Sequence, residues 1–245
     1  MCEMCRLNSI QKFDPSRRKM LGLAAVSTVG FLLSSSAGAK VTKPPPKPQN
    51  VMTPAASLER LLKGNERYVE GVSLRHDFKH EREALAGGQN PFAAILSCAD
   101  SRIAPEYAFD SGRGDLFVCR VAGNFANSES VASLEYAVAE LGTPLILVLG
   151  HDACGAVNAT IKSLKDGTTL PGHLPSLVEA IAPAVKAVSQ QGGDTLANAI
   201  KQNVVDNVIK LSSATPILSA AVEQGKLKVA GGIYRLKDGR VEMVG

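Results

Sequence analysis

The 245-residue chain has no tryptophan, and aromatic residues make up only 4% of it. It also lacks a membrane-length apolar run: the apolar stretch from Met20 to Leu33 has 14 residues, short of the roughly 20 that span a bilayer. The basic excess is small, and it is local. Of the formal charge of +4, residues 1–39 supply five Lys and Arg against two Asp and Glu, leaving 22 − 21 = +1 for the remainder. A nucleic-acid partner is therefore not expected, and neither is a stable membrane span. What is present, 45% hydrophobic and 20% charged residues, describes a globular protein with an ample core.

The leader separates first. Ser16, Arg17 and Arg18 open "SRRKML", the apolar run follows, and "AGA" at Ala37 to Ala39 offers small residues for a signal peptidase. This layout is that of a secretory signal of the twin-arginine type, which exports folded proteins, so the chain is expected to be periplasmic or otherwise extracytoplasmic and to start near Lys40. Cys2 and Cys5, spaced C-x-x-C, lie upstream of that cut and are read as incidental. Residues 40–54, with Pro44, Pro45, Pro46 and Pro48, form a tether, and 55–245 a single domain.

Within the domain, short apolar runs alternate with helical periodicity. "FAAILSC" (Phe92 to Cys98), "DLFVCRV" (Asp115 to Val121), "PLILVLG" (Pro144 to Gly150) and "KLKVAGGIY" (Lys226 to Tyr234) predict strands covered on both faces. Val131, Leu134, Val138 and Leu141 predict one helix, stopped by Gly142 and Pro144, and Ile200, Val204, Val208 and Leu211 another. Thr215 before Pro216 predicts a cap and Gly225 an end, and Asp238 and Gly239 a C-terminal hairpin turn. Such alternation argues for an α/β fold with a mainly parallel central sheet flanked by helices and a C-terminal antiparallel hairpin.

In open parallel sheets chemistry gathers beyond the carboxyl ends of the strands. Cys98 closes one strand run, His151 follows another, and Cys154 is expected in the first turn of the next helix, where N–H groups favour a thiolate. Two thiolates and an imidazole suit zinc, and three protein ligands leave a fourth position open. Asp100 and Arg102, in "CADSR", supply polar support for water on such a metal. Cys119 reads as an inert thiol, and His76, His80 and His173 as ordinary polar residues outside the motifs.

Six stretches together resemble one family. "CADSR" (Cys98 to Arg102), "FVCRVAGN" (Phe117 to Asn124), "SLEYAV" (Ser133 to Val138), "LGHDACGAV" (Leu149 to Val157), "NVVDNV" (Asn203 to Val208) and "GGIYRLKDGRVEMV" (Gly231 to Val244) resemble the β-class carbonic anhydrases in order and spacing. The resemblance implies one zinc per subunit, held by Cys98, His151 and Cys154, and reversible hydration of carbon dioxide to bicarbonate and a proton. In that reading, zinc-acidified solvent attacks carbon dioxide while Asp100, kept ionised by Arg102, orients it; in a closed state Asp100 becomes a fourth ligand. The resemblance further implies a homodimer, often paired into tetramers, with a cleft near the interface. The missing tryptophan argues against the bicarbonate pocket of the regulated branch, and Ser111 stands where relatives often carry a longer Gln, which bears on substrate affinity. Three alternatives stay open: hydrolysis of carbon disulfide or carbonyl sulfide on the same fold, a thiol enzyme using Cys98 or Cys154, and a zinc-bound member without activity.

Overall fold

The computed structural model describes residues 51–244. The expected leader, and the tether as far as residue 50, lie outside the described residues, as do the side chains of Phe78 and His80. The chain runs α1 (Pro54–Val69), α2 (Phe78–Leu85), β1 (Ala93–Ser97), α3 (Pro105–Ala108), β2 (Leu116–Arg120), α4 (Ser128–Ala139), β3 (Leu145–His151), α5 (Gly155–Asp166), α6 (Leu174–Ala187), α7 (Thr195–Ser212), α8 (Ile217–Glu223), β4 (Lys228–Tyr234) and β5 (Val241–Val244).

The strands form one sheet in the order β2-β1-β3-β4-β5. Every pairing is parallel except β4 with β5, which is antiparallel and turns through Gly239 at φ +76°. Side chains alternate between two apolar layers. Ala94, Leu96, Ile146 and Val148 face the layer shared with α7; Ala93, Ile95, Leu145, Leu147 and Leu149 face the layer shared with Leu61 of α1. That two-sided burial is why β1 and β3 read as continuous apolar runs. The expectation of two covered faces fails for β2, which is only half-buried because it is the edge strand.

Local signals explain most helix ends. Thr53 caps α1, Asn127 caps α4 by accepting from Ser130 N–H, and Asp194 caps α7 by accepting from Leu196 and Ala197 N–H. Two expectations shift. The cap of α8 is Pro216 rather than Thr215, and it has no side-chain acceptor. Cys154 is the cap of α5 and not part of its first turn. Helix α6 has no counterpart among the expected elements, and its Pro183 sits inside the helix although it can donate no hydrogen bond there. Among the described residues, no helix is long and apolar enough to cross a membrane.

Helix α7 lies unusually close to the sheet, because it crosses glycines. A Cβ at Gly150 would stand 2.6 Å from Val204 Cγ2, and one at Gly231 would stand 2.7 Å from Val204 Cγ1. Gly150→Ala is accordingly expected to destabilise the fold by about 1–3 kcal/mol through overpacking, with Val204→Ala recovering part of the loss in the double variant. Urea midpoints of the three proteins check this, and an unchanged midpoint for Gly150→Ala contradicts it.

Candidate metal centre

The strand order reverses between β1 and β3: β2 lies outside β1, and β4 lies outside β3. Loops leaving two such neighbours diverge and open a crevice at the carboxyl ends. Ser97 pairs with Leu149, so Cys98, one residue past β1, and His151, the last residue of β3, emerge side by side. The chain then turns through Asp152 and Ala153, the latter in the left-handed region at φ +50°, which returns Cys154 toward the strand ends at the start of α5.

The sulfurs of Cys98 and Cys154 and a ring nitrogen of His151 all lie within 4.8 Å of one another, and all three residues are buried. His151 Nδ1 donates to Asp152 O at 2.8 Å, which fixes the tautomer and leaves Nε2 as the electron-pair donor. That Nε2 is buried with no hydrogen-bond partner. Such an atom is costly unless a cation receives its lone pair. Two sulfurs and one imidazole nitrogen at this spacing fit zinc, with one tetrahedral position left for solvent. The residues expected to be ligands are therefore brought together.

Protons compete strongly within this cluster. The hydrogen bond with Cys154 pulls the Cys98 thiol well below its ordinary range against the effect of burial, helped by His151 and by Gly123 N–H, whose nitrogen is 3.3 Å from Cys98 Sγ. The same contact with Cys98, with burial added, pushes Cys154 up. Burial disfavours a charged His151, yet contact with Cys98 raises it on balance. Uptake of a divalent ion displaces these shared protons.

Asp100 and Arg102 stand at the rim. Arg102 Nε donates to Asp100 Oδ1 at 2.9 Å, Nη2 to Oδ2 at 2.7 Å, and the Arg102 N–H to Oδ1 at 3.0 Å. These bonds, led by the guanidinium, hold the Asp100 carboxyl far below the usual carboxylate range. Asp100 Oδ2 is 3.8 Å from His151 Nε2, so the carboxylate borders the ligand set without belonging to it.

Two supports were not identified from sequence. Arg120 Nε donates to Cys98 O (3.0 Å), while its Nη2 donates to Asp100 O (2.7 Å) and Ile103 O (2.8 Å), so one side chain from β2 clamps the loop that carries Cys98 and Asp100. Gly123 is the other. Both fall inside "FVCRVAGN", but nothing local marks a contact across some 20 residues. The remaining candidates stay apart from the cluster. Cys119 is half-buried, and burial pushes its thiol up, away from reactivity. His76 contacts Glu81 at 3.3 Å, and His173 precedes α6. Ser111 donates to its neighbour Phe109 O at 3.0 Å and lines a cavity of about 700 Å³ with Tyr68, His76, Tyr107 and Asp110.

A family model described as carbonic anhydrase matches residues 93–241, from the start of β1 to the start of β5. The chain belongs to the carbonic anhydrase family. It is 41% identical over 188 residues to carbonic anhydrase 2 of Mycobacterium tuberculosis, covering 76% of this chain and 91% of that protein. It is 38% identical over 191 residues to a carbonic anhydrase of Mycolicibacterium smegmatis, covering 78% and 93%. Among solved structures, the Coccomyxa β-carbonic anhydrase in complex with acetazolamide superposes with a TM-score of 0.59 at 27% identity, covering 76% of this chain and 85% of that one. The β class is thus shared in sequence and in fold.

For this carbonic anhydrase, Arg120→Met removes the donor to all three loop carbonyls. It is expected to weaken zinc binding about 10–100-fold, the usual cost of losing support behind a ligand. Competition against a chelator measures it; unchanged affinity would mean that the loop keeps its shape unaided.

Proposed function

We propose that this β-carbonic anhydrase catalyses the reversible hydration of carbon dioxide to bicarbonate and a proton, using one zinc ion per subunit held by Cys98, His151 and Cys154. The observation that carries the reading is the buried meeting of two sulfurs and an unpartnered imidazole nitrogen within 4.8 Å. When bound, zinc supplies the Lewis acidity that makes water a nucleophile near neutral pH.

The protein's own residues supply orientation. Asp100, held anionic by Arg102, is acceptor-only, and its Oδ2 faces the ligand set from 3.8 Å. It takes a hydrogen bond from solvent in the site and so turns that solvent's lone pair toward the carbon of carbon dioxide. The closed state, with Asp100 as a fourth ligand, requires its bonds from Arg102 to break; the bidentate pairing therefore favours the open arrangement.

Because Asp100 is depressed rather than raised, it stays ionised across the neutral range and imposes no acidic limb of its own there. Two thiolates cancel the formal charge of zinc and acidify its solvent less than three neutral imidazoles would, so carbon dioxide hydration is expected to rise as the pH passes above about 7. A stopped-flow profile already flat by about pH 6 contradicts this. In the same assay Cys154→Ser and chelation are each expected to reduce activity to the uncatalysed background. Full activity in metal-free protein would overturn the reading.

We further propose assembly into a dimer, in keeping with exposed Val72 and Tyr107 lining the 700 Å³ cavity, Tyr107 being 74% exposed. Sedimentation that returns only monomer opposes it. We also propose export by a twin-arginine signal, supported by residues 16–39. Mass spectrometry of exported protein is expected to find a mature start near Lys40, and retention of Met1 would refute it.

A further inference from the structure

The turn after β2 touches the metal site without giving it a ligand. Asn124 N–H closes the turn on Val121 O at 2.9 Å, Gly123 stands at φ +86°, and a Cβ there would meet Ile181 Cδ1 at 2.5 Å. Only glycine fits, and in that conformation its N–H is aimed at Cys98 Sγ.

One face of α7 grips this turn. Asn203 Nδ2 donates to Gly123 O at 2.8 Å, Asn207 Oδ1 accepts from Ala126 N–H at 2.7 Å, and Lys210 Nζ donates to Ala126 O at 2.6 Å. Spacings of four and three residues put these side chains on one helix face. The Ala126 N–H decides how the Asn207 amide is turned, since only its oxygen accepts. Asn207 Nδ2 is then left to donate to Asn203 O at 2.8 Å and to Asn203 Oδ1 at 3.3 Å, and Asn203 presents its own Nδ2 to Gly123. Both asparagines are buried, so water competes little for these bonds.

We infer that Asn203 and Asn207 are positioning residues for the metal centre: by holding the Gly123 turn they set the N–H···S hydrogen bond to Cys98. The inference rests on the zinc reading above. A thiolate that accepts an N–H bond passes less charge to a metal, so the ion keeps more of its Lewis acidity than two unassisted sulfurs would leave it. The "NVVDNV" segment of α7 thereby acts on a site to which it contributes no ligand.

Two isosteric variants of the full chain test this. Asn203→Asp deletes the donor to Gly123 O. Asn207→Asp keeps the acceptor for Ala126 N–H and deletes the donor to Asn203, a milder lesion that serves if Asn203→Asp does not fold. In metal-free protein, hydrogen exchange of the Gly123 amide, followed by NMR, is expected to quicken about tenfold, the equivalent of one net hydrogen bond, with exchange in β1 and β3 unchanged. With cobalt(II) as the probe ion, the sulfur-to-cobalt charge-transfer absorption is expected to move to longer wavelength in both variants, because a sulfur without its N–H donor yields electrons more readily. If the wild type takes up cobalt and the variants' absorption does not move, the inference alone fails, whatever the exchange rates show. If the wild type takes up no cobalt, the zinc reading fails and takes the inference with it.

Discussion

The parallel ladder between β1 and β3 is the constraint from which the site follows. With Ser97 opposite Leu149, one further residue on β1 gives Cys98 and two on β3 give His151, so both emerge at the carboxyl end of the same ladder. Both strands are buried on their two faces, so neither can slip or tilt without opening apolar layers on both sides of the sheet. Cys98 and His151 are thus anchored to the sheet by backbone hydrogen bonds and core packing, with Arg120 holding the loop that Cys98 begins. Cys154 alone needs a turn, and the left-handed Ala153 provides it.

Charge is arranged in two zones around that point. The inner zone is desolvated, and there two thiols and an imidazole contend for protons until a cation takes their place. The outer zone is polar: Arg102 is 52% exposed, and the carboxylate it holds needs no burial to stay ionised. Zinc-type ligation and solvent orientation make opposite demands on dielectric, and a step of only two residues, from Cys98 to Asp100, separates them. Arg120, by binding the carbonyls on both sides of that step, keeps the two zones in register.

Helix α7 joins core and site. Its apolar side, through Val204, sits directly on Gly150 and Gly231, which is possible only because those strand positions lack side chains. That close approach brings the adjacent polar side, Asn203 and Asn207, within reach of the turn at Gly123. The glycine before His151 and the glycine beside Cys98 therefore serve a single packing arrangement, one by admitting the helix and the other by receiving its hydrogen bonds.

Much of this was legible in the linear chain. Uninterrupted apolar runs marked β1 and β3 because they are buried on both faces, strand-end positions singled out Cys98 and His151, and the 3.6-residue stripe at Ile200, Val204, Val208 and Leu211 marked α7. The C-terminal turn at Asp238 and Gly239 was equally readable from its residue types. Helix α6 was not, since an internal Pro183 looks locally like a break and is tolerated only in the packed protein. Nor were the half-burial of β2, the cap position of Cys154, the clamp by Arg120 or the grip of Asn203 and Asn207 on the turn. By itself the sequence determined which residues bear the chemistry and which segments are buried, because residue type and periodicity are local properties. Only the tertiary structure decided which strand lies at the edge and which distant amide or guanidinium supports a ligand: those hydrogen bonds join positions some 20 to 80 residues apart, and chain order carries no signal of them.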